Sequence, residues 1–257
     1  METSASVIIN SVDRALDILL YLHAKGGEAS ITAISQDLKI YKSTVYRTLV
    51  TLENKGFVEQ NMETGRYSLG KKLFVLGMGI GDRMGLRKVV RPYTRQLHEE
   101  FGEAVNVSIL DRSRSDVYQS VIVWREEGGQ IIHFNWEIGS RNDCYCAGVG
   151  KCLLAFGEDI DLSIYEEHPM KAYTEKTIRT VAQLEEELEK VRRLGYALDD
   201  EEREAGLTCV AAPILRNGVA VAAVSISGPT SRMKKLKLSV ISSRLKEVCR
   251  EISQELA

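Results

Sequence analysis

The stretch from Ser30 to Leu49 constrains this chain more than any other. Ser30 is a good N-cap, and Ile31, Ile34 and Leu38 behind it recur at helical spacing. Lys39-Ile40-Tyr41 leave room only for a tight turn before a second helix, whose inward positions are Val45, Leu49 and Leu52. The outward face of that helix carries Lys42, Ser43, Thr44, Tyr46 and Arg47, all able to donate a hydrogen bond. Donors on the N-terminal half of the second of two packed helices suit the phosphates and base edges of a DNA major groove. Three basic residues and no acidic one lie between Leu38 and Leu52. A basic surface helix of no special purpose is the plainer alternative.

The flanks support the first reading. Ser11 to His23 reads as a helix with the apolar stripe Val12, Leu16, Leu19 and Leu20, ended by Gly26-Gly27. After Gly56, the runs Phe57 to Asn61 and Arg66 to Leu69 flank Met62-Glu-Thr-Gly65, a small hairpin. Three helices and a hairpin make a winged helix–turn–helix, with Arg66 and Tyr67 expected on the wing beside the DNA backbone. Charge gives no help: the first 70 residues hold seven Lys/Arg and eight Asp/Glu, and the whole chain has net charge −2. DNA binding must then rest on a local basic face, with two copies doubling the contacts.

Lys71 to Met84 predicts a connecting helix with Leu73, Leu76, Ile80 and Met84 on one face. Gly77, Gly79 and Gly81 each weaken it by nearly 1 kcal/mol relative to alanine, so a partner helix should hold it. Leu86 to Phe101 is a further helix, with Pro92 as a kink and Gly102 as its stop.

Beyond Glu103 strands enter: Val105–Leu110, Asp116–Val123 and Ile131–Trp136. Gly148–Phe156 reads as a short helix and Val181–Leu194 as an amphipathic one with Leu184, Leu188, Val191 and Leu194 inside. Leu207–Leu215 and Val219–Ser227 are strands joined by Arg216-Asn217-Gly218, a hairpin turn, and a last helix runs from Ser231 to Leu256. Strands flanked by helices without strict alternation predict an α+β fold with an antiparallel sheet. The division expected is 8–70 for the winged helix–turn–helix, 71–84 for the linker helix and 85–257 for a second domain.

Several functional classes are disfavoured. The N-terminus has no signal-peptide pattern, and the longest apolar stretch, Val219 to Val224, is far short of the roughly 20 residues of a membrane helix. Five cysteines are too few and oddly numbered for a secreted disulfide scaffold, so a cytoplasmic protein with reduced thiols is expected. Cys144, Cys146, Cys209 and His133 could converge, but Cys-x-Cys is not structural-zinc spacing, and no metal or cofactor is expected. Gly150-Lys151 resembles the end of a phosphate loop, yet Tyr145 replaces its first glycine and Cys152 the magnesium-binding hydroxyl. Neither Cys152 nor Cys209 sits in a nucleophile setting, so an enzyme is not expected.

Together the motifs resemble the isocitrate-lyase-regulator (IclR) family of transcriptional regulators along nearly the whole chain. The pieces are Lys42-Ser-Thr-Val-Tyr-Arg47, Gly65-Arg-Tyr-Ser-Leu-Gly70, Gly148-Val-Gly-Lys-Cys-Leu-Leu-Ala155, Gly195-Tyr-Ala-Leu-Asp-Asp-Glu-Glu202, Gly206-Leu-Thr-Cys-Val-Ala-Ala-Pro213 and Ser225-Ile-Ser-Gly-Pro229. The resemblance implies a GAF-like effector domain behind the winged helix, and homodimers or homotetramers on palindromic operator DNA. Lys39 departs from it, standing where the family usually has glycine, so a left-handed turn there would be strained.

In the second domain, glycines at the start of the helix at Gly148 let backbone N–H groups approach an anion, where the helix dipole favours it. A loop that needs glycine for its turn alone is the alternative. Asp199, Leu207, Cys209, Ser225 and Ser227 match effector-pocket positions of the resembling family. Ser225 and Ser227, two apart on a strand, share a face that could equally look to solvent. With Gly148 and Val149 they predict a site for a small hydroxy- or keto-acid. Aromatic acids are less expected, since neither Trp124 nor Trp136 is placed there by sequence. The reading is a ligand-responsive repressor of a catabolic operon. Its rivals are a ligand-free architectural DNA-binding protein and a metabolite-binding enzyme with an incidental winged helix.

Overall fold

The computed structural model describes residues 8–127 and 136–256, with the backbone alone for 78 and 80–84. The strand expected over 131–136 and the candidate ligand His133 therefore fall, Trp136 apart, outside the described residues. Two compact units meet in sequence between Met84 and Gly85. No helix among the described residues is long and apolar enough to cross a membrane.

The first unit opens with α1 (Asn10–Lys25), α2 (Ile31–Asp37) and α3 (Lys42–Asn54). The Ser30 hydroxyl caps α2 by accepting from the Ala33 amide at 3.2 Å. Between α2 and α3, Lys39 does adopt the left-handed conformation, at φ 55°. The turn is tied by Ser35, whose hydroxyl donates to the Ile40 carbonyl at 2.6 Å. The wing pairs β1 (Val58–Gln60) with β2 (Tyr67–Leu69), Val58 opposite Leu69. The core is Ile18, Leu22, Ile34, Val45, Leu49, Val58 and Tyr67.

Two expectations fail here. Of the α1 stripe only Leu19 packs against the core: Val12, Leu16 and Leu20 are exposed, Leu16 by 54%, while Ile18 and Leu22 are buried. Tyr67 does not reach out with the wing; it is buried, and its backbone bridges to Ala29 through N–H···O bonds of 2.8 Å in both directions. The first unit ends in α4 (Lys71–Met84), which leaves Phe74, Val75 and Leu76 exposed.

The second unit is a single antiparallel sheet between two helical layers. In chain order it comprises α5 (Leu86–Phe101), β3 (Ala104–Asp111), β4 (Gln119–Glu126), β5 (Arg141–Asp143), a 3-10 turn at Cys144–Cys146 and α6 (Gly148–Ala155). Then come α7 (Ile164–Glu167), α8 (Val181–Leu194), β6 (Ala197–Asp200), β7 (Leu207–Arg216), β8 (Val219–Pro229), α9 (Thr230–Lys235) and α10 (Leu238–Glu255). Among the described residues the strand order is β5-β4-β3-β8-β7-β6. The expected last helix is broken in two, because Lys237 takes φ 61° between α9 and α10.

Alternation along the strands assigns the two faces. Val105, Val107, Val210, Ala212, Val224 and Ile226 pack under α5 and α10. Ile241, Leu245, Val248 and Ile252 of α10 are fully buried, each stabilising the fold by about 1.5–3 kcal/mol. Ala197, Ala211 and Ala223 point the other way, toward α6 and α8. Small residues on that face let α6 sit close. Gly150 must be glycine because α6 also passes close to the 3-10 turn, where a Cβ would lie 2.3 Å from the Cys144 Cα.

Candidate functional site

The α3 face is built as an exposed row of donors. Val45 and Leu49 are buried, so Lys42, Ser43, Tyr46 and Arg47 face out, with Thr44 half-buried. No side chain caps α3, so its first amides join the cationic side chains at its N-terminus. Arg66 is exposed on the wing. Among the described residues, neither Lys42, Arg47 nor Arg66 is held in an ion pair. The wing loop is braced instead by Asn61, which donates to Glu28 at 2.7 Å and accepts from the Glu63 amide at 2.9 Å.

The second site lies between the sheet and α6. Gly148, Val149, Asp199, Leu207, Cys209, Ser225 and Ser227, all expected there, line one cavity. Register explains the convergence: Asp199 pairs with Cys209, Cys209 with Ser227, and Ala211 with Ser225 across β6, β7 and β8. Ser225 is buried, so the solvent-facing alternative fails for it, while Ser227 is half-buried. The cavity holds about 40 Å³ of free space, against roughly 10–15 Å³ for one enclosed water. Only a small molecule fits without movement of the walls.

Residues that sequence reasoning missed complete the lining: Asn106, Ser108, Ile122, Trp136, Asn142, Ala147 and Arg203. Asn106 is 5% and Ser108 1% exposed. Trp136 therefore does face the cavity, which removes the reason for setting aromatic acids apart. Trp124 is elsewhere, its indole donating to Thr94 of α5 at 3.0 Å.

Asp199 is half engaged. Its Oδ1 accepts from the amides of Glu202 at 2.8 Å and Arg203 at 3.4 Å, which fixes the loop after β6. Burial, reinforced by the nearby Glu202 carboxylate, pushes the Asp199 carboxyl up to about 7. Behind it, Lys151 of α6 is fully buried and donates to Glu202 at 2.6 Å, to Glu187 of α8 at 3.4 Å and to the Leu198 carbonyl. Burial opposes the charge on Lys151, but Glu202 and Glu187 outweigh it and hold the ammonium above its usual range. This cation thus pins α6 to the Asp199 loop, and no phosphate-loop role is left for it.

The cysteines do not form a reactive centre. All five are buried thiols. Burial pushes the Cys209 thiol up to about 11, against the pull of the Ser227 and Ser225 hydroxyls, so it stays neutral and unreactive at pH 7. Among the described residues no group of three or more His, Cys, Asp or Glu side chains could hold a metal ion.

Comparison with known proteins identifies both domains. Residues 11–61 match the IclR helix-turn-helix domain, and residues 78–254 the C-terminal domain of bacterial transcriptional regulator IclR. The HTH-type transcriptional regulator BhcR of Paracoccus denitrificans is 37% identical over 97% of this chain and 88% of its own. The transcriptional repressor IclR of Escherichia coli K12 is 30% identical over 95% and 89%. The crystal structure of the Thermotoga maritima IclR superposes with a TM-score of 0.76 at 32% identity, covering 97% of this chain and 99% of that one. The chain belongs to the IclR family of bacterial transcriptional regulators and is a DNA-binding regulator with an effector domain, not an enzyme.

Proposed function

We propose that this regulator is a cytoplasmic repressor of a catabolic operon that loses operator affinity when a small organic acid enters the cavity beneath α6. The observation that carries the effector half is the buried polar face of the sheet, Asn106, Ser108, Ser225 and Asp199, under the uncapped N-terminus of α6. A polar group in the interior costs stability unless it is hydrogen-bonded. Asn106 and Ser108 each leave a buried oxygen without a hydrogen-bond partner, and a ligand would meet them. In this reading the acid's carboxylate meets the Gly148 and Val149 amides, with Leu207 and Cys209 as the apolar wall. Lys42, Ser43, Thr44, Tyr46, Arg47 and Arg66 are the proposed DNA contacts. The sign of regulation is carried over from the E. coli relative, which is named a repressor.

The operator is read as palindromic and the protein as a homodimer or homotetramer. Each near-neutral reader has few phosphate contacts, and two linked readers make up the deficit. The exposed Phe74, Val75 and Leu76 of α4 supply a surface for a second copy. A methyl at Gly77 would meet nothing within 4 Å in this chain, so the glycine serves no close packing inside it. A close approach by the partner's helix would use it.

The test is a fluorescence-anisotropy titration of the purified chain on DNA from upstream of its own and neighbouring genes, with and without a panel of small carboxylates. The reading expects one site to be bound at nanomolar protein and released by at least one acid. Binding that no acid alters would leave a ligand-free architectural protein.

A further inference from the structure

The cavity holds more hydrogen-bonding capacity than the seven expected residues use. The Oδ1 of Asn106, the Oγ of Ser108 and the Oδ1 of Asn142 are buried with no hydrogen-bond partner. Asn106 and Ser108 alternate with Val105 and Val107 on β3, so the strand register fixes them on the cavity side, and Asn106 lies directly opposite Ser225. Leaving a buried acceptor unpaired costs about 1–3 kcal/mol, so such a group is normally met by something.

Arg203 lines the same cavity, and its Nε is likewise buried without a partner. Its guanidinium carbon is 4.0 Å from the centre of the Tyr173 ring and 5.4 Å from that of Trp136. Tyr173 is anchored by donating to Asp143 at 2.6 Å. The loop that carries Arg203 is held from both sides: Asp199 accepts its amides, and Thr174 and Thr177 each donate to its carbonyls at 2.7 Å. A cation fixed by two rings, with one unpartnered donor on a residue that lines the cavity, suits an anion. The helix terminus offers about half a charge; the guanidinium offers a full one.

We infer that Arg203 and the pair Asn106–Ser108 set the specificity of this cavity: Arg203 donates from Nε to the ligand's carboxylate, while a hydroxyl on the ligand donates to the Asn106 Oδ1 and accepts from the Ser108 hydroxyl. The preferred effector is a small hydroxy acid, ahead of the keto acid or unsubstituted acid of the same length. This rests on the cavity being the effector site. It narrows the chemical class and adds three residues to the binding set. A site built to hydrogen-bond a hydroxyl discriminates strongly against the analogue that lacks it, because its own buried groups are then left unpaired.

The experiment is calorimetric titration of the full chain with matched acids: lactate, pyruvate and propionate, then glycerate, and glycolate against acetate. Wild type should bind at least one hydroxy acid tenfold or more tighter than its unsubstituted and keto counterparts. Asn106→Leu combined with Ser108→Ala should reduce that preference to about twofold while acids still bind. Arg203→Gln should weaken all bound acids by tenfold or more, and Arg203→Lys should recover part of the loss. Far-UV circular dichroism checks that each variant is folded. Gly148→Val, which crowds Cys209 and Ala211 at 3.3 Å, separates the two levels of the reading. If it leaves acid binding intact, the effector site is elsewhere and the inference falls with it. If it abolishes binding while wild type treats lactate, pyruvate and propionate alike, or Arg203→Gln binds as wild type, the cavity reading stands and the specificity assignment is overturned.

Discussion

Asp199 shows how burial and a neighbouring carboxylate set the charge of a carboxyl that also ties a loop. Its folded value of about 7 lies above the ordinary 3.8, so the folded state binds this proton more tightly than the unfolded chain does. The resulting stabilisation is fully present below about pH 4 and is lost as pH rises through 7. The groups around it are Glu202, Lys151 and Arg203, and Lys151 limits the effect. Asp199→Asn should remove this pH dependence, so the variant gains stability relative to wild type between pH 5 and pH 8, by on the order of 3 kcal/mol. Urea unfolding at the two pH values measures it; parallel curves for both proteins would refute it. On α3, Arg47→Ala should cost about 1–3 kcal/mol on the operator, and Lys42→Ala should lower the salt slope by about one unit. Anisotropy from 50 to 200 mM salt tests both, and unchanged operator affinity in the double variant would contradict the assignment.

At the scale of elements, legibility follows how local the determining contacts are. The amphipathic period of Val181–Leu194 and its Gly195 stop specify α8, and Asn217-Gly218, both at positive φ, specify the turn between β7 and β8. The α1 helix misleads because it is apolar on two sides. Val12, Leu16 and Leu20 make the more regular row, yet the core takes Ile18 and Leu22. Tyr67 misleads for a related reason: beside Arg66 it reads as a wing residue, but its strand face turns it inward. Asp199, Leu207, Cys209, Ser225 and Ser227 rest on family register rather than physics, whereas Asn106 and Ser108 look like the wet side of a half-exposed strand until α6 roofs them. Lys151 is illegible from sequence because Glu187 and Glu202 reach it from other elements. Lys39 is the opposite case, where a sequence oddity survives as backbone strain. Lys39→Gly should relieve it and stabilise the winged unit by up to about 1 kcal/mol, read as a higher thermal midpoint. A lower midpoint would mean that the lysine side chain contributes more than the strain costs.

For the whole molecule, the proposed second copy would cover the exposed apolar residues of α4 and offset the near-neutral charge of one reader. Phe74 is 70% exposed, an unusual setting for a phenylalanine in a monomer. Phe74→Glu with Leu76→Glu should yield smaller species in analytical ultracentrifugation and weaken operator binding by tenfold or more. A wild type that sediments as a monomer with full operator affinity would take α4 out of the account. Effector control then requires only that the acid bind one arrangement of the readers better than another. The most direct test of that claim is operator affinity measured at saturating acid for wild type and for the cavity-filling Gly148→Val. The account predicts that the acid lowers wild-type affinity at least tenfold and leaves the variant unmoved. The same shift in both proteins would contradict it.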